Sequence, residues 1–128
     1  MWQAVRPNQI VTPDLFRGPR RGKFPGMRDR QPCVYILASG FNGTLYTGVT
    51  SNLIGRIMQH RDGTYARFTS RYGIVRLVWF ETTETMADAI ASEKRIKAWR
   101  RDWKKNLIER DNPDWHDLAV ALGLPPLD

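Results

Sequence analysis

Five side chains in this 128-residue chain carry functional groups in a pattern that packing alone does not require: Tyr35, Tyr46, Arg56, His60 and Glu93. Tyr35 lies in the run CVYILA and Tyr46 in LYTGVT, two β-branched and aromatic stretches joined through Asn42-Gly43, a strong hairpin dipeptide. With any even-length loop between such strands, odd-numbered residues of the first face even-numbered residues of the second. The two phenols therefore project from one side of the sheet. Arg56 and His60 stand four residues apart on one stripe of a helix that Ser51 or Asn52 can cap, with Leu53, Ile57 and Met58 on its apolar side. Two phenols, a guanidinium and an imidazole can together bind an anion and move a proton, whereas cross-strand aromatic packing is the purely structural reading of the tyrosines. Glu93 is the odd member, because it interrupts the apolar stripe Met86, Ala89, Ile90, Ile96, Trp99, Trp103 of a later helix. A carboxylate there is costly unless it is paired, with Arg56, Lys97 or Arg100, or holds a cation.

The elements that must position these groups form an α/β domain: a small three-stranded, mainly antiparallel sheet flanked by helices. The strands are expected at Cys33–Ala38, 45–49 and 74–81, the last nearly all apolar apart from Arg76 and so suited to the sheet's centre or inner edge. The first helix begins near Asn52 and ends at Asp62-Gly63, and 64–73 reads as a polar loop bordering the site. Thr85-Met-Ala-Asp88 matches a capping box that opens a helix to about Trp103, with Leu107 continuing its stripe. Asn112-Pro113-Asp114 is a turn, followed by a short amphipathic helix with Trp115, Leu118, Ala119 and Leu122 inward. Trp99, Trp103 and Trp115 are most simply helix-packing residues.

At the triplets Cys33-Val34-Tyr35 and Tyr46-Thr47-Gly48, eleven residues from Tyr to Tyr, with Arg56 ten residues further on and His60 one turn later, the chain resembles the GIY-YIG nuclease family. It is closest in pattern to the small stand-alone bacterial members, which look like the nuclease domain of the excinuclease subunit UvrC. The resemblance covers roughly residues 32–111. It implies a metal-dependent endonuclease hydrolysing phosphodiester bonds in DNA, with branched or damaged structures as candidate substrates and DNA repair as a setting. In that chemistry Glu93 is the single protein ligand of one divalent cation, Mg²⁺ or Mn²⁺, with waters and substrate phosphate filling the other positions. Arg56 complements the phosphate through two donors. One of Tyr35 and Tyr46 activates water, its pKa drawn down from about 10 by Arg56 and the cation. His60 relays a proton, binds phosphate or makes a structural hydrogen bond. Thr69 resembles a threonine common in the small members, with a turn or a phosphate hydrogen bond as its role. Thr69 and the basic Arg61, Arg67, Arg71, Lys97, Arg100 and Lys104 are the candidate nucleic-acid contacts, with DNA ahead of RNA. Two departures stand out. Val49 and Thr50 occupy the place where many relatives carry Lys, so Lys97 or Arg61 must compensate, and Asn106 is the only candidate for the family's downstream Asn. The alternative function is a catalytically weak nucleic-acid-binding module that keeps the fold.

Composition bounds the rest. A chain of this length, 41% hydrophobic, is one domain's worth of core. The lone Cys33 excludes an intramolecular disulfide and a cysteine metal cluster, no apolar run approaches a membrane span, and a reducing cytoplasm is the expected setting. The net charge is +7, but residues 1–30 hold +5 of it and the remainder only +2. Eight basic residues against three acidic ones between Glu93 and Arg110 keep a local basic stretch in the folded part, which would otherwise be a solvated cationic helix face. Residues 1–31, with four prolines and no periodicity, read as a disordered basic tail or an over-long N-terminus, with Met27 the expected native start. Residues 32–111 are then the nuclease domain, and 112–128 a C-terminal turn and helix packed on it. Removal of 1–26 is expected to leave folding intact and weaken nonspecific binding at low salt. Nothing in the sequence specifies an oligomeric state.

Overall fold

The computed structural model describes residues 30–127. The expectations for the N-terminal tail and for a start at Met27 concern residues outside the described ones. The elements run β1 (Cys33–Ala38), β2 (Leu45–Thr50), α1 (Leu53–Asp62), α2 (Arg67–Arg71), β3 (Arg76–Thr82), α3 (Met86–Ala98) and α4 (Arg101–Asp111). The sheet is antiparallel throughout, in the order β2-β1-β3. No helix among the described residues is long and apolar enough to cross a membrane.

The strand at the centre is β1, not β3, and every one of its six residues is buried. An apolar strand with no charge can be covered on both faces, whereas β3 opens on Arg76 and closes on Glu81-Thr82, which belong at an edge. One face of β1, with Val34, Ile36 and Ala38, packs on Val78, Trp79, Ile96, Ile108 and Trp115. The other carries Cys33, Tyr35 and Leu37. The β1–β3 register shifts between Ile36 and Leu37, leaving Val78 as the extra residue of a bulge, so that Val78 and Trp79 both reach the same core cluster.

That edge strand explains why the expected C-terminal helix does not form. Leu118 N donates to Leu77 O at 2.7 Å, Asn112 Nδ2 donates to Val78 O at 3.1 Å, and Asp117 Oδ1 accepts from Leu77 N at 3.2 Å. The segment after Asn112 spends its polar groups on the exposed side of β3 instead of on a helical ladder, and takes a series of turns with Trp115 at φ 56°. The inward residues are as expected: Trp115, Ala119 and Leu122 are buried.

The long helix predicted from Thr85 is two helices. Thr85 caps α3 by accepting from Asp88 N, but Trp99 and Arg100 are extended, with ψ 153° and 159°. Ile96 and Ile108 both enter the core cluster. On an unbroken helix these two residues would point about 120° apart, and the break lets both turn inward. No glycine, proline or capping side chain marks it, and Ile90 and Trp103, placed inward by periodicity, are exposed. Met58 of α1 is exposed as well. The expected loop 64–73 contains α2.

Candidate active site

The hairpin brings the two phenols together as the parity argument requires. In the β1–β2 register Tyr35 faces Gly48 and Leu37 faces Tyr46, so the rings are diagonal neighbours on one face, their centroids 6.4 Å apart. Gly48 is what makes room for Tyr35: a Cβ at Gly48 would lie 2.5 Å from the Tyr35 hydroxyl. Below them α1 starts at Asn52, whose side chain accepts from Gly55 N, and ends at Gly63 in the left-handed conformation at φ 83°. Leu53, Ile57 and His60 are its buried residues.

His60 is the hub. Its ring centroid lies 5.7 Å from that of Tyr35, 5.2 Å from Tyr46 and 5.0 Å from Tyr65, each edge-on. Its Nε2 is 2.8 Å from the Tyr35 hydroxyl and its Nδ1 is 2.7 Å from Thr69 Oγ1. Thr69 donates its one hydroxyl proton to Ala66 O at 3.0 Å, so its oxygen is left to accept, which assigns the proton of a neutral His60 to Nδ1. The Nε2 lone pair then accepts from the Tyr35 hydroxyl. Burial, with the positive charge of Arg56, holds His60 down at about 4, so the imidazole is neutral at physiological pH.

Arg56 pulls both phenols in the expected direction, but in this protein alone burial outweighs it. Burial raises Tyr35 strongly, and the neighbouring Tyr46 adds to it, against the opposing pull of Arg56. Tyr46 is likewise raised, first by burial and then by Tyr65. Desolvation of an anion outweighs a single nearby cation, and both phenols keep their protons in this protein alone.

Arg56 is held with its guanidinium carbon 3.9 Å above the centroid of the Tyr65 ring, and its Nη1 donates to Val49 O at 3.4 Å. Tyr65 thus touches two members of the cluster, since it also meets His60 edge-on, and it lies near enough to Tyr46 to add to the raising of that phenol. Neither periodicity nor any short motif points to Tyr65. It arrives through the turn at Gly63, nine residues from Arg56 in the chain.

Glu93 sits on the α3 stripe between buried Ala89 and Ile96. Its ion-pair partner is Lys97, one turn on, at 2.7 Å; the side chains are 15% and 53% exposed, respectively. The carboxylate is near enough to Tyr46 to add to the raising of that phenol. Among the described residues no group of three or more His, Cys, Asp or Glu side chains could cage a metal. The donor set that remains, one half-buried carboxylate facing a phenol-lined site, suits a hard cation that keeps most of its waters.

Two of the expected nucleic-acid contacts have other work. Arg61 is bound to Asp117 at 2.8 Å and donates to Val75 O and Pro125 O, so it ties α1 to the C-terminal segment and does not compensate for the missing Lys. Thr69 is fully buried against His60 and touches no solvent. Arg61 is drawn off by tertiary contacts, whereas Thr69 takes the turn role expected as one of its two, its hydroxyl donating to Ala66 O three residues back. Arg67, Arg71 and Arg100 are exposed, Lys104 is half-buried, Lys97 is engaged by Glu93, and Asn106 is exposed.

Comparison with known proteins finds relatives and a family. The chain is similar to a UPF0213 protein of Aeromonas salmonicida, 31% identical over 88 residues that cover 67% of this chain and 65% of that protein, just under two thirds of its length. It is similar to a UPF0213 protein of Clostridium perfringens, 43% identical over 75 residues, 59% of this chain and 80% of that one. The solution structure of a UPF0213 protein of Bacillus halodurans aligns with 74% of this chain and 99% of its own, at 27% identity and a TM-score of 0.45. The family model described as the GIY-YIG catalytic domain matches residues 31–106, more than half of the chain and a span that contains Tyr35, Tyr46, Arg56, His60 and Glu93, and the chain therefore belongs to the GIY-YIG family.

Proposed function

We propose that the protein is a metal-dependent endonuclease hydrolysing phosphodiester bonds in DNA, with residues 32–111 as its nuclease domain and branched or damaged structures among its substrates. Membership of the GIY-YIG family implies nuclease-type activity. The observation that carries the reading is the hydrogen-bonded run Tyr35–His60–Thr69 beside an arginine stacked on an aromatic ring.

In this reading Arg56 receives the phosphate, its guanidinium pre-oriented by Tyr65 so that little side-chain freedom is lost on binding. Of the two causes that keep His60 from accepting a proton, one is the charge of Arg56. A phosphodiester paired with Arg56 cancels much of that charge, so His60 becomes a better base only when substrate is seated. Tyr35 is fully buried in the protein alone, so seating the substrate has to admit one water to its oxygen; that water gives its proton to the Tyr35 oxygen as it attacks phosphorus, and the Tyr35 proton passes to His60 Nε2. The imidazolium that forms keeps its Nδ1 proton on Thr69. The bond from phosphorus to the departing oxygen breaks on the opposite side. A Mg²⁺ or Mn²⁺ ion held by Glu93 supplies charge stabilisation for the phosphoryl and departing oxygens when bound. Tyr46, raised and partly exposed, positions water or phosphate as a neutral donor. Exposed Arg67, Arg71 and Arg100, with Lys104, contact the backbone.

A second reading, a catalytically weak nucleic-acid-binding module, is favoured by two observations: both phenols are held protonated, and Lys97 already occupies Glu93. Incubating the purified full chain with single-stranded, duplex, flap and junction DNA, with and without Mg²⁺ or Mn²⁺, separates the two. Cation-dependent cleavage that is lost in Tyr35→Phe is expected; tight binding with no product on any substrate would leave the second reading standing.

A further inference from the structure

Helix α2 puts neighbouring residues to opposite uses. Thr69 points inward to His60 Nδ1 at 2.7 Å, and its carbonyl accepts from Ile74 N at 2.8 Å, so the orientation of α2 is fixed by the candidate site itself. Phe68 and Tyr72, one turn apart, then point outward, 55% and 56% exposed, with ring centroids 5.1 Å apart. Two adjacent aromatic rings left to water make an apolar surface without a partner in the fold. The surroundings say what kind of partner fits. Arg67 and Arg71 stand on the same helix, the Arg71 guanidinium carbon lies 5.5 Å from the Tyr72 ring centroid, and no acidic residue occurs between Asp62 and Glu81. A face of flat apolar rings whose own stretch of chain carries only positive charge suits a ligand that is flat and apolar in its rings and negative along its backbone.

We propose that this face is a stacking platform for unpaired bases of single-stranded DNA, and that the nuclease site beside it therefore acts on substrates with a single-stranded segment next to the scissile bond. The inference rests on the nuclease reading for its second half and on the α2 surface alone for its first. Paired bases in a duplex present only their edges and phosphates, so exposed rings add nothing to duplex binding, whereas every unpaired base offers a face to stack. Arg67 and Arg71 neutralise the flanking phosphates, and Arg71 extends the platform by its own planar group. Thr69 touches the imidazole while Phe68 meets solvent, so a strand stacked on α2 lies about one helix width, ~10 Å, from His60.

The test uses the full chain and a single-stranded DNA oligonucleotide carrying 2-aminopurine, whose fluorescence is quenched by stacking. Wild type is expected to quench it, and Phe68→Ala with Tyr72→Ala to lose the quench and about tenfold to a hundredfold in affinity, with duplex affinity unchanged. Phe68→Tyr and Tyr72→Phe, which keep the rings, are expected to bind as wild type does. Independently of any variant, photo-crosslinking of 5-iododeoxyuridine in the same strand is expected to label the peptide holding Phe68 and Tyr72, and labelling confined elsewhere would overturn the platform. So would equal affinity of the double alanine variant, a preference for the ribose form of the strand that alone depends on the rings, or sedimentation showing that the rings hold two copies together. Cleavage assays on the same samples keep the two ideas apart. Ring-dependent binding without any cleavage supports the platform and defeats the nuclease, and cleavage of substrates with a single-stranded segment that is indifferent to the rings does the reverse.

Discussion

Gly48 faces Tyr35 across the β1–β2 ladder at a distance that admits no side chain, since a Cβ there would lie 2.5 Å from the Tyr35 hydroxyl and 2.6 Å from its ring carbon Cζ. The glycine of the second triplet is thus a spatial requirement of the tyrosine of the first. Tyr35 is fully buried and cannot swing into solvent, so Gly48→Ala must push its hydroxyl off His60. The expected outcome is a loss of about 1–3 kcal/mol of stability from overpacking, together with a fall in cleavage larger than the unfolded fraction explains. Thermal melting and single-turnover cleavage on the same sample check it; full activity per folded molecule would show that Tyr35 need not touch His60.

Thr69 acts on the site through His60. Thr69→Val keeps the shape and removes the acceptor for Nδ1–H, leaving a buried donor unpaired at about 1–3 kcal/mol. It should also shift His60 towards the other tautomer, which ¹⁵N chemical shifts of the imidazole read directly. Thr69→Ser should restore both the shift and the cleavage rate, and a Val variant with unchanged imidazole shifts would refute the assignment.

The buried imidazole makes stability depend on pH. His60 is held at about 4 in the folded protein against 6.5 when unfolded, so the unfolded chain binds the extra proton first. The contribution is complete above about pH 6.5 and is lost as pH falls towards 4. Melting temperatures across that window should fall more steeply for wild type than for His60→Gln. In Arg56→Met, which removes one of the two causes of the shift, the fall should be shallower than in wild type; parallel curves for all three would contradict it.

Glu93 is paired with a lysine that is more than half exposed, so Glu93→Gln leaves no buried charge stranded and should change stability by no more than about 1 kcal/mol. Cation-dependent cleavage should fall by orders of magnitude while DNA affinity holds or rises, because one negative charge near the phosphate is gone. Calorimetric titration with Mn²⁺ provides a readout independent of turnover. A large drop in melting temperature with an unchanged rate for the folded fraction would make Glu93 structural.

Tyr65 touches Arg56 and His60 but belongs to no triplet. Tyr65→Leu removes the ring under the guanidinium, a contact of about 1 kcal/mol, and should lower cleavage about fivefold. Tyr65→Phe should keep most of the rate, since it keeps the ring. Equal rates in Leu and Phe variants would mean that Arg56 needs no such support.

The features legible along the chain are those governed by local rules. Strand parity alone put Tyr35 and Tyr46 on one face, because the side-chain period of a strand is two whatever else the chain does. Asn52 and Thr85 as caps, and Gly63 as the end of α1, followed from orphan backbone groups and the left-handed conformation that glycine tolerates. Helical spacing aligned Arg56 with His60 and singled out Glu93 on an apolar stripe. The tertiary structure decided whatever depends on competition for partners. The edge of β3 needed donors and acceptors and took them from residues 112–118, so an amphipathic pattern became turns. Ile96 and Ile108 had to share one core, which broke a helix that has no breaking residue. Arg61 found Asp117, Thr69 found His60, and Tyr65 slid beneath Arg56, pairings between residues from nine to fifty-six apart in sequence that no local pattern joins. Burial then raised the phenols and lowered the imidazole, since the cost of a charge is set by the water excluded around it, and that is a property of the packed fold.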